Sequence, residues 1–553
     1  MSDTRPTTAE GILEGLDAGQ KNAVLSSTRH TLIVAPPGSG KTRVLSARFA
    51  LLVKDGVAPD ALLAVTFTHR SAREMKERIS VLSGLSPASL DVTTFHGFSF
   101  KLLKMTRRPF SLYGRHETVR LLKELGVKSP ERAARMVSAV KNGVFAATGE
   151  DAAVFGAYSD ALKSRGALDL DDLVAEAVAG LEGGGCAVST KSHIMVDEYQ
   201  DINPLQARLV RLLAKDTASV LAIGDPDQAI YSFRGASLRS FLEFRNDYPA
   251  SEVINLSTNY RSGADIVTVS KGLIRHNCQR IENDPVAARP GGEIFHVECP
   301  EDRSEAEFII KEIEKRMGGL TSLTAGDTDL AFSDFAVLVR TNRQADLLAD
   351  SFQRSSLPYY RGGGESDRAA EFVRRLKAGS PGPGVTLEGF IKEEAAFFGL
   401  AEDITGTLLT EAGDLRDRPA SEVLDEFAGR ASLMEPEEYL EIKADRVSLL
   451  TLHMAKGLEF KTVFIAGFED GLIPYVRDEE TDIEEERRLF YVGMTRAKEA
   501  LYLVSARKRM LRGVMVDTVR SRFLKELPAE LVQSGAVEKK KTKKRPVQKG
   551  LFD

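Results

Sequence analysis

Cysteine is scarce and tryptophan is absent. The three cysteines, Cys186, Cys278 and Cys299, lie far apart with no C-x-x-C pair, which excludes a zinc knuckle, an iron–sulfur cluster and a disulfide framework and fits a reducing cytoplasm. No stretch approaches the ~18 apolar residues of a membrane span, and Met1–Gly11 has no apolar core of the kind a secretion signal needs. The histidines His30, His116, His193, His276 and His296 stand without metal-ligand spacing and read as structural or surface residues. A strong net charge is also lacking: the balance is −5. Charge averaged over several domains can still conceal a basic groove, so a polyanion partner is neither indicated nor excluded.

What the chain does have is length and pattern. Its 553 residues, at about 150 per domain, suggest three or four domains. Short apolar runs end in Gly-, Asp- or Thr-rich turns at Thr31–Ala35, Leu62–Thr66, His193–Asp197, Val220–Gly224, Phe335–Arg340, Val447–Thr451 and Thr462–Gly467. Such runs predict buried parallel strands. Helical patterns such as Ser71–Leu82 and Asn203–Lys215 lie between them, giving the alternation of doubly wound α/β sheets, in two groups divided near residue 255. Two stretches break the alternation. One, with helices expected at Glu117–Leu125, Pro130–Asn142 and Asp171–Leu181, precedes His193; the other, helical and acidic, follows Gly364 and contains the loop-forcing run Gly379–Gly384.

Three strand ends carry chemistry. After the first strand the chain reads A-P-P-G-S-G-K-T, residues 35–42. This is a P-loop: Gly38, Ser39 and Gly40 let backbone amides face phosphates, Lys41 reaches the β/γ-phosphates of ATP, and Thr42 offers a hydroxyl to Mg²⁺ at a helix N-terminus. H-I-M-V-D-E-Y-Q-D, residues 193–201, sets Asp197 and Glu198 at a buried strand's end, where two carboxylates are expensive without a task. Asp197 would hold the Mg²⁺ shell and Glu198 would polarise the attacking water. L-A-I-G-D-P-D-Q-A-I-Y-S-F-R-G-A, residues 221–236, supplies Gln228 and then Tyr231, Phe233 and Arg234, a composition suited to stacking on unpaired bases.

Together these motifs resemble the superfamily 1 helicases of the UvrD/Rep/PcrA group, over nearly all of residues 12–510 and in the family's order. The resemblance implies two RecA-like P-loop domains in tandem, α/β with parallel sheets, each carrying a mostly helical insertion. It also implies further roles. Gln20 would read the adenine edge; Tyr260 and Arg43 would sandwich adenine; Glu459 would bind the ribose. Arg261 and Arg496, across a cleft from Lys41, would contact the γ-phosphate, with Arg496 as the arginine finger. Phe67, Thr94, His96, Thr451 and His453 would line the path of single-stranded DNA. Movement from 3′ to 5′, driven by ATP with Mg²⁺, is what such a motif set implies, in repair, replication restart or protein displacement, acting on single strands and single/double-strand junctions. The alternative is a helicase subunit of an anti-phage system beside a separate nuclease. A catalytically silent DNA-binding module is disfavoured by the intact Lys41, Asp197, Glu198 and Arg496 set.

The expected division is a first ATPase domain over 1–104 and 188–255 with an insertion at 105–187, a second RecA-like domain over 256–364 and 445–525, a reduced accessory insertion at 365–444, and a basic flexible tail at 526–553. Three departures from the family pattern stand out: His69 replaces an Asn, Phe233 replaces a Trp, and the second insertion is short. The last implies a monomer or weak dimer that translocates well and unwinds long duplexes poorly. No nuclease domain is expected after residue 510. The acidic run Asp478–Asp482 reads as a solvated loop. In the tail, Lys539–Arg545 is basic, and Gln548, Leu551 and Phe552 match a Q-x-x-L-F peptide of the kind that docks on the sliding clamp.

Overall fold

The computed structural model describes residues 8–106, 109–184, 190–215, 218–318, 330–362, 364–434, 445–476, 481–511 and 513–537. Cys186, part of the acidic run at 478–482, and the tail with Gln548, Leu551 and Phe552 lie outside the described residues. The chain divides into two compact units: Met1–Val267 with Asn277–Pro290 and Gly362–Lys443, and Thr268–His276 with Gly291–Arg361 and Ala444–Asp553.

The first unit is built on a six-stranded sheet. Its order is Val92–Thr94, Leu62–Thr66, His193–Val196, Ser219–Gly224, His30–Val34 and Glu252–Asn255, every neighbouring pair parallel. The strands are apolar at consecutive positions because both faces are covered. Alternate residues serve the two sides. Ile33, Ala64, Met195 and Ile223 face one core with Phe49 and Met75, whereas Leu32, Val65, Val196 and Ala222 face the other with Phe98, Val178 and Val210. Full burial of each large apolar side chain contributes about 1.5–3 kcal/mol.

The helical segment before His193 has its own small core of Leu121, Leu122, Val137, Tyr158 and Leu162. Its polar centre is Lys141, whose Nζ lies 2.7 Å from both Asp169 and Asp172.

The later helical segment also belongs to this unit. It comprises helices Gly364–Ala378, Leu387–Phe398, Glu402–Ala412 and Ala420–Ser432. Leu433 joins Phe100, Leu103, Leu112 and Leu173 in one apolar cluster. A Cβ at Gly429 would stand 2.8 Å from the Phe100 ring, so only glycine permits this close approach. Lys377 donates to the Leu112 carbonyl at 3.2 Å. His69, the departure from the family's Asn, reaches Glu411 of this segment at 3.6 Å and Thr94 at 3.4 Å.

The second unit carries a seven-stranded sheet in the order Tyr359–Arg361, Val447–Thr451, Phe335–Val339, Phe460–Ala466, Ala497–Ala506, Glu293–Cys299, Gln533–Ala536, again with parallel pairs throughout. Phe335, Val337, Val339, Phe464 and Tyr502 fill one of its faces together with helix residues Ile309, Ile313, Leu348 and Phe352. The fold is therefore the expected pair of parallel α/β sheets. Among the described residues no helix is long and apolar enough to cross a membrane.

Candidate nucleotide site and DNA-facing residues

The strand His30–Val34 delivers the chain to the P-loop, and Ala35 stays in sheet register by donating to the Gly224 carbonyl at 2.8 Å. Gly38 and Gly40 have φ of +71° and +84°, a region glycine enters without strain. Gly40 is the N-cap of helix Lys41–Lys54 and has no side chain to cap it. The first-turn amides are thus left for an anion, as phosphate binding at a helix N-terminus requires. Lys41 donates to the Ala35 carbonyl at 3.3 Å and lies 3.9 Å from Glu198.

Gln20 sits in the capping box of helix Ala18–Leu25. Its Nε2 donates to the Ser39 carbonyl at 2.8 Å, and its Oε1 accepts from the Asp17 amide at 3.2 Å. One end of this buried amide therefore braces the P-loop while the other closes the cap of its own helix. Tyr260, which is 43% exposed, hydrogen-bonds through its hydroxyl to Asp17, while Arg43 donates to the Glu14 carbonyl at 3.4 Å.

Tyr260 and Arg261 fall in the first compact unit and lie beside the P-loop. The cause is Asn259, which the motif reading passes over. Its buried side chain donates to the Pro37 carbonyl at 2.8 Å and accepts from the Arg261 and Ser262 amides, each at 2.9 Å. A Cβ at Gly38 would approach the Arg261 Cβ to 2.6 Å, so the glycine is needed where this strand crosses the loop.

At the acidic strand end Asp197 is buried, and its carboxylate accepts from the Glu198 amide at 3.0 Å. Burial first, and the Glu198 carboxylate second, push the Asp197 carboxyl up to about 7. Glu198 adopts φ 49°, ψ 45°, a left-handed conformation that an L-residue holds only under constraint. Gln200, a second residue missed by motif reading, supplies part of that constraint. Its Nε2 donates to Glu198 at 2.5 Å and its Oε1 accepts from the Asp225 amide at 2.9 Å. Gln228 in turn donates to Asp225 at 2.8 Å. The buried carboxyls of Asp197 and Asp225 are both raised, chiefly by burial. Asp197, with Glu198 and Asp201 as acidic neighbours and Lys41 as a cation, and Thr42 in the first turn of helix Lys41–Lys54 offer hard oxygen donors of the kind that fit a divalent ion such as Mg²⁺.

The aromatic turn follows directly. The Phe67 and Tyr231 rings stack at 5.3 Å and 11°, and Tyr231 meets Phe233 edge-on at 6.0 Å. The Arg234 guanidinium lies 5.2 Å from the Tyr231 ring centre and 5.7 Å from that of Phe233. Phe233 is 58% exposed, the most exposed ring of the three. Thr94 is buried, with its hydroxyl accepting from the Gly97 amide at 3.0 Å, and His96 lines a cavity of about 280 Å³ together with Phe67, Phe233 and Arg234.

In the second unit Thr451 ends the strand Val447–Thr451 and His453 follows it, with the Met454 amide donating to the Thr451 hydroxyl at 3.4 Å. Glu459 pairs with Lys498 at 2.7 Å. Arg496 is fully buried. Its guanidinium donates to the Val492 and Leu458 carbonyls at 2.9 and 3.2 Å and to the Thr495 hydroxyl at 3.1 Å. Among the described residues no cluster of His, Cys, Asp or Glu is arranged to hold a metal ion by itself.

Comparison with known proteins agrees with this architecture. Residues 16–249 match the UvrD/REP helicase N-terminal domain, and residues 254–366 and 403–508 match the UvrD-like helicase C-terminal domain. The chain is 30% identical to the ATP-dependent DNA helicase PcrA of Staphylococcus epidermidis, covering 96% of this chain and 89% of that protein. It is also 30% identical to the ATP-dependent DNA helicase UvrD1 of Mycobacterium tuberculosis, covering 95% and 87%. The first alignment runs over 657 positions, more than the 553 residues here, so that relative carries segments this chain lacks. The chain belongs to the UvrD/REP helicase family.

Proposed function

We propose that this helicase couples ATP hydrolysis to 3′ to 5′ movement on single-stranded DNA, in repair, replication restart or displacement of bound proteins. One observation carries the reading: a single segment links the phosphate-facing groups to the base-stacking platform. Asp225 and Gln228, hydrogen-bonded to each other and through Gln200 to Glu198, stand only a few residues before Tyr231, Phe233 and Arg234.

In this reading the P-loop amides and Lys41 hold the triphosphate, and Gln20 and Asn259 keep the loop in shape. Thr42 and Asp197 would hold Mg²⁺, which supplies charge neutralisation at the phosphates. Glu198 orients the attacking water and accepts its proton, with Gln200 fixing the carboxylate. Tyr260 and Arg43 flank the adenine, Glu459 binds the ribose, and Arg261 and Arg496 stabilise charge on the transferred phosphoryl group. Phe67, Thr94, His96, Phe233, Arg234, Thr451 and His453 contact DNA, while Tyr231 buttresses the platform. Lys41→Ala and Glu198→Gln should each lower DNA-stimulated ATPase at least about a hundredfold, a loss of about 2.7 kcal/mol of transition-state stabilisation, with single-stranded DNA binding kept. Turnover within about tenfold of the unaltered chain would reject the site.

The tail peptide with Gln548, Leu551 and Phe552 is assigned to sliding-clamp docking, a weak contact made by a short apolar anchor. Absence of clamp binding by this peptide at ~100 μM removes the assignment.

A further inference from the structure

The turn that begins at Glu198 ends at Asn203, the N-cap of helix Pro204–Ala214. Between them Tyr199, Gln200, Asp201 and Ile202 are all buried. Asn203 accepts from the Gln206 amide at 2.8 Å and donates from Nδ2 to Asn142 Oδ1, also at 2.8 Å. Asn142 is equally buried and closes helix Pro130–Lys141 of the inserted segment. Its own Nδ2 donates to Asp171 at 2.7 Å and to the Ser138 carbonyl at 3.0 Å, which fixes the orientation of the amide.

The same corner of the insertion presses on the aromatic turn. A Cβ at Gly235 would stand 2.9 Å from Val144 and 3.7 Å from the Asn142 Cβ, and Phe233, Arg234, Asn142 and Asn203 border one cavity. Gly235 is the point where the turn meets the insertion without a gap, so a shift of the turn on stacking a base is passed on there, because close-packed contacts transmit small displacements. The shift reaches Asn142 by contact and Asn203 through a directional hydrogen bond. From Asn203 a short buried turn leads to Glu198, whose left-handed backbone is held by its surroundings and is therefore sensitive to them.

We propose that the Asn142–Asn203 hydrogen bond couples DNA occupancy of the Phe233–Arg234 turn to the placement of Glu198, making both asparagines positioning residues for DNA-stimulated hydrolysis. The inference rests on the roles given above to Glu198 and the aromatic turn. A ligand-driven change in turnover needs such a physical connection between the two sites.

The test uses Asn203→Ser, because serine retains the cap but is too short to reach Asn142. ATPase is measured with and without saturating oligothymidylate, alongside KM for ATP, oligonucleotide affinity and melting temperature. The expected result is a fall of about tenfold in DNA-stimulated kcat, equivalent to about 1.4 kcal/mol, with basal kcat, KM and DNA affinity within about twofold. Asn203→Asp, which also caps, should give the same loss and serves if the serine variant folds poorly. Adding Asn142→Ser to either variant should cause no further loss, since the shared bond is already gone. Undiminished stimulation overturns the proposal. So does an equal fall in basal and stimulated turnover, which would mark a structural role alone. Glu198→Gln, run in parallel, separates the two readings: if it hydrolyses ATP normally, the assignment of the site fails whatever Asn203→Ser does.

Discussion

Asn259 donates to the Pro37 carbonyl across 222 residues of sequence, tying the strand that carries Tyr260 and Arg261 to the P-loop. Asn259→Ala would remove its hydrogen bonds to that carbonyl and to the Arg261 and Ser262 amides, each contributing about 0.5–1.5 kcal/mol. KM for ATP should rise by about tenfold or more, equivalent to about 1.4 kcal/mol, while affinity for single-stranded DNA stays unchanged. Steady-state ATPase and oligonucleotide titration measure the two quantities; an unchanged KM would show that the strand does not shape the nucleotide site.

Phe233 is the most exposed ring of the aromatic turn, whereas Tyr231 has Phe67 stacked on its face. Stacking contributes about 1–3 kcal/mol per base, so Phe233→Ala should weaken binding of a short oligonucleotide roughly 5- to 150-fold. Phe233→Trp, which restores the family's residue, should bind at least as tightly as the unaltered chain. Tyr231→Phe should bind nearly normally. Fluorescence anisotropy decides, and an alanine variant within about twofold of the unaltered chain would remove Phe233 from the DNA path.

His296 is buried in the strand Glu293–Cys299, 3.2 Å from the Ser505 hydroxyl. Burial first and Arg520 second hold its imidazole below the ordinary 6.5, with Glu298 opposing them. The sign follows directly. Above 6.5 the ring is neutral in both folded and unfolded chains and contributes no pH dependence; as pH falls through 6.5 the unfolded chain takes up the proton first and stability drops. The slope from one such group is at most about 1.4 kcal/mol per pH unit. Urea unfolding of the second unit's sheet at pH 7.5 and 5.5 should therefore show an acid-side loss that His296→Gln reduces. Equal losses in both chains would contradict it.

Reading the sequence works best where burial leaves a signature. Strands such as Leu62–Thr66 and Phe335–Val339 are buried at every position and show as unbroken apolar runs. Val92–Thr94 is too short to stand out, and Gln533–Ala536 is an exposed edge strand without an apolar face. The P-loop and the acidic pair are local motifs and declare themselves. Asn259 does not, because its task depends on a partner far away in the chain. Gln200 lies inside the quoted acidic run, yet only the geometry reveals that it spans Glu198 and Asp225. The seat of the second helical segment depends on long-range fit; a glycine within helix Ala420–Ser432, at a propensity cost of about 1 kcal/mol, is its one readable sign.

The most direct measurement is strand displacement on short duplexes bearing a 3′ or a 5′ single-stranded tail, with ATP turnover followed in the same samples and duplex length then increased. A 3′ to 5′ motor with a reduced accessory segment should hydrolyse ATP on both tails and displace the short duplex only from the 3′ tail. Dilute protein should also fail on long duplexes unless a partner or second copy is added. Displacement from the 5′ tail, or ATP turnover that never separates or traverses DNA, would contradict the proposed motor.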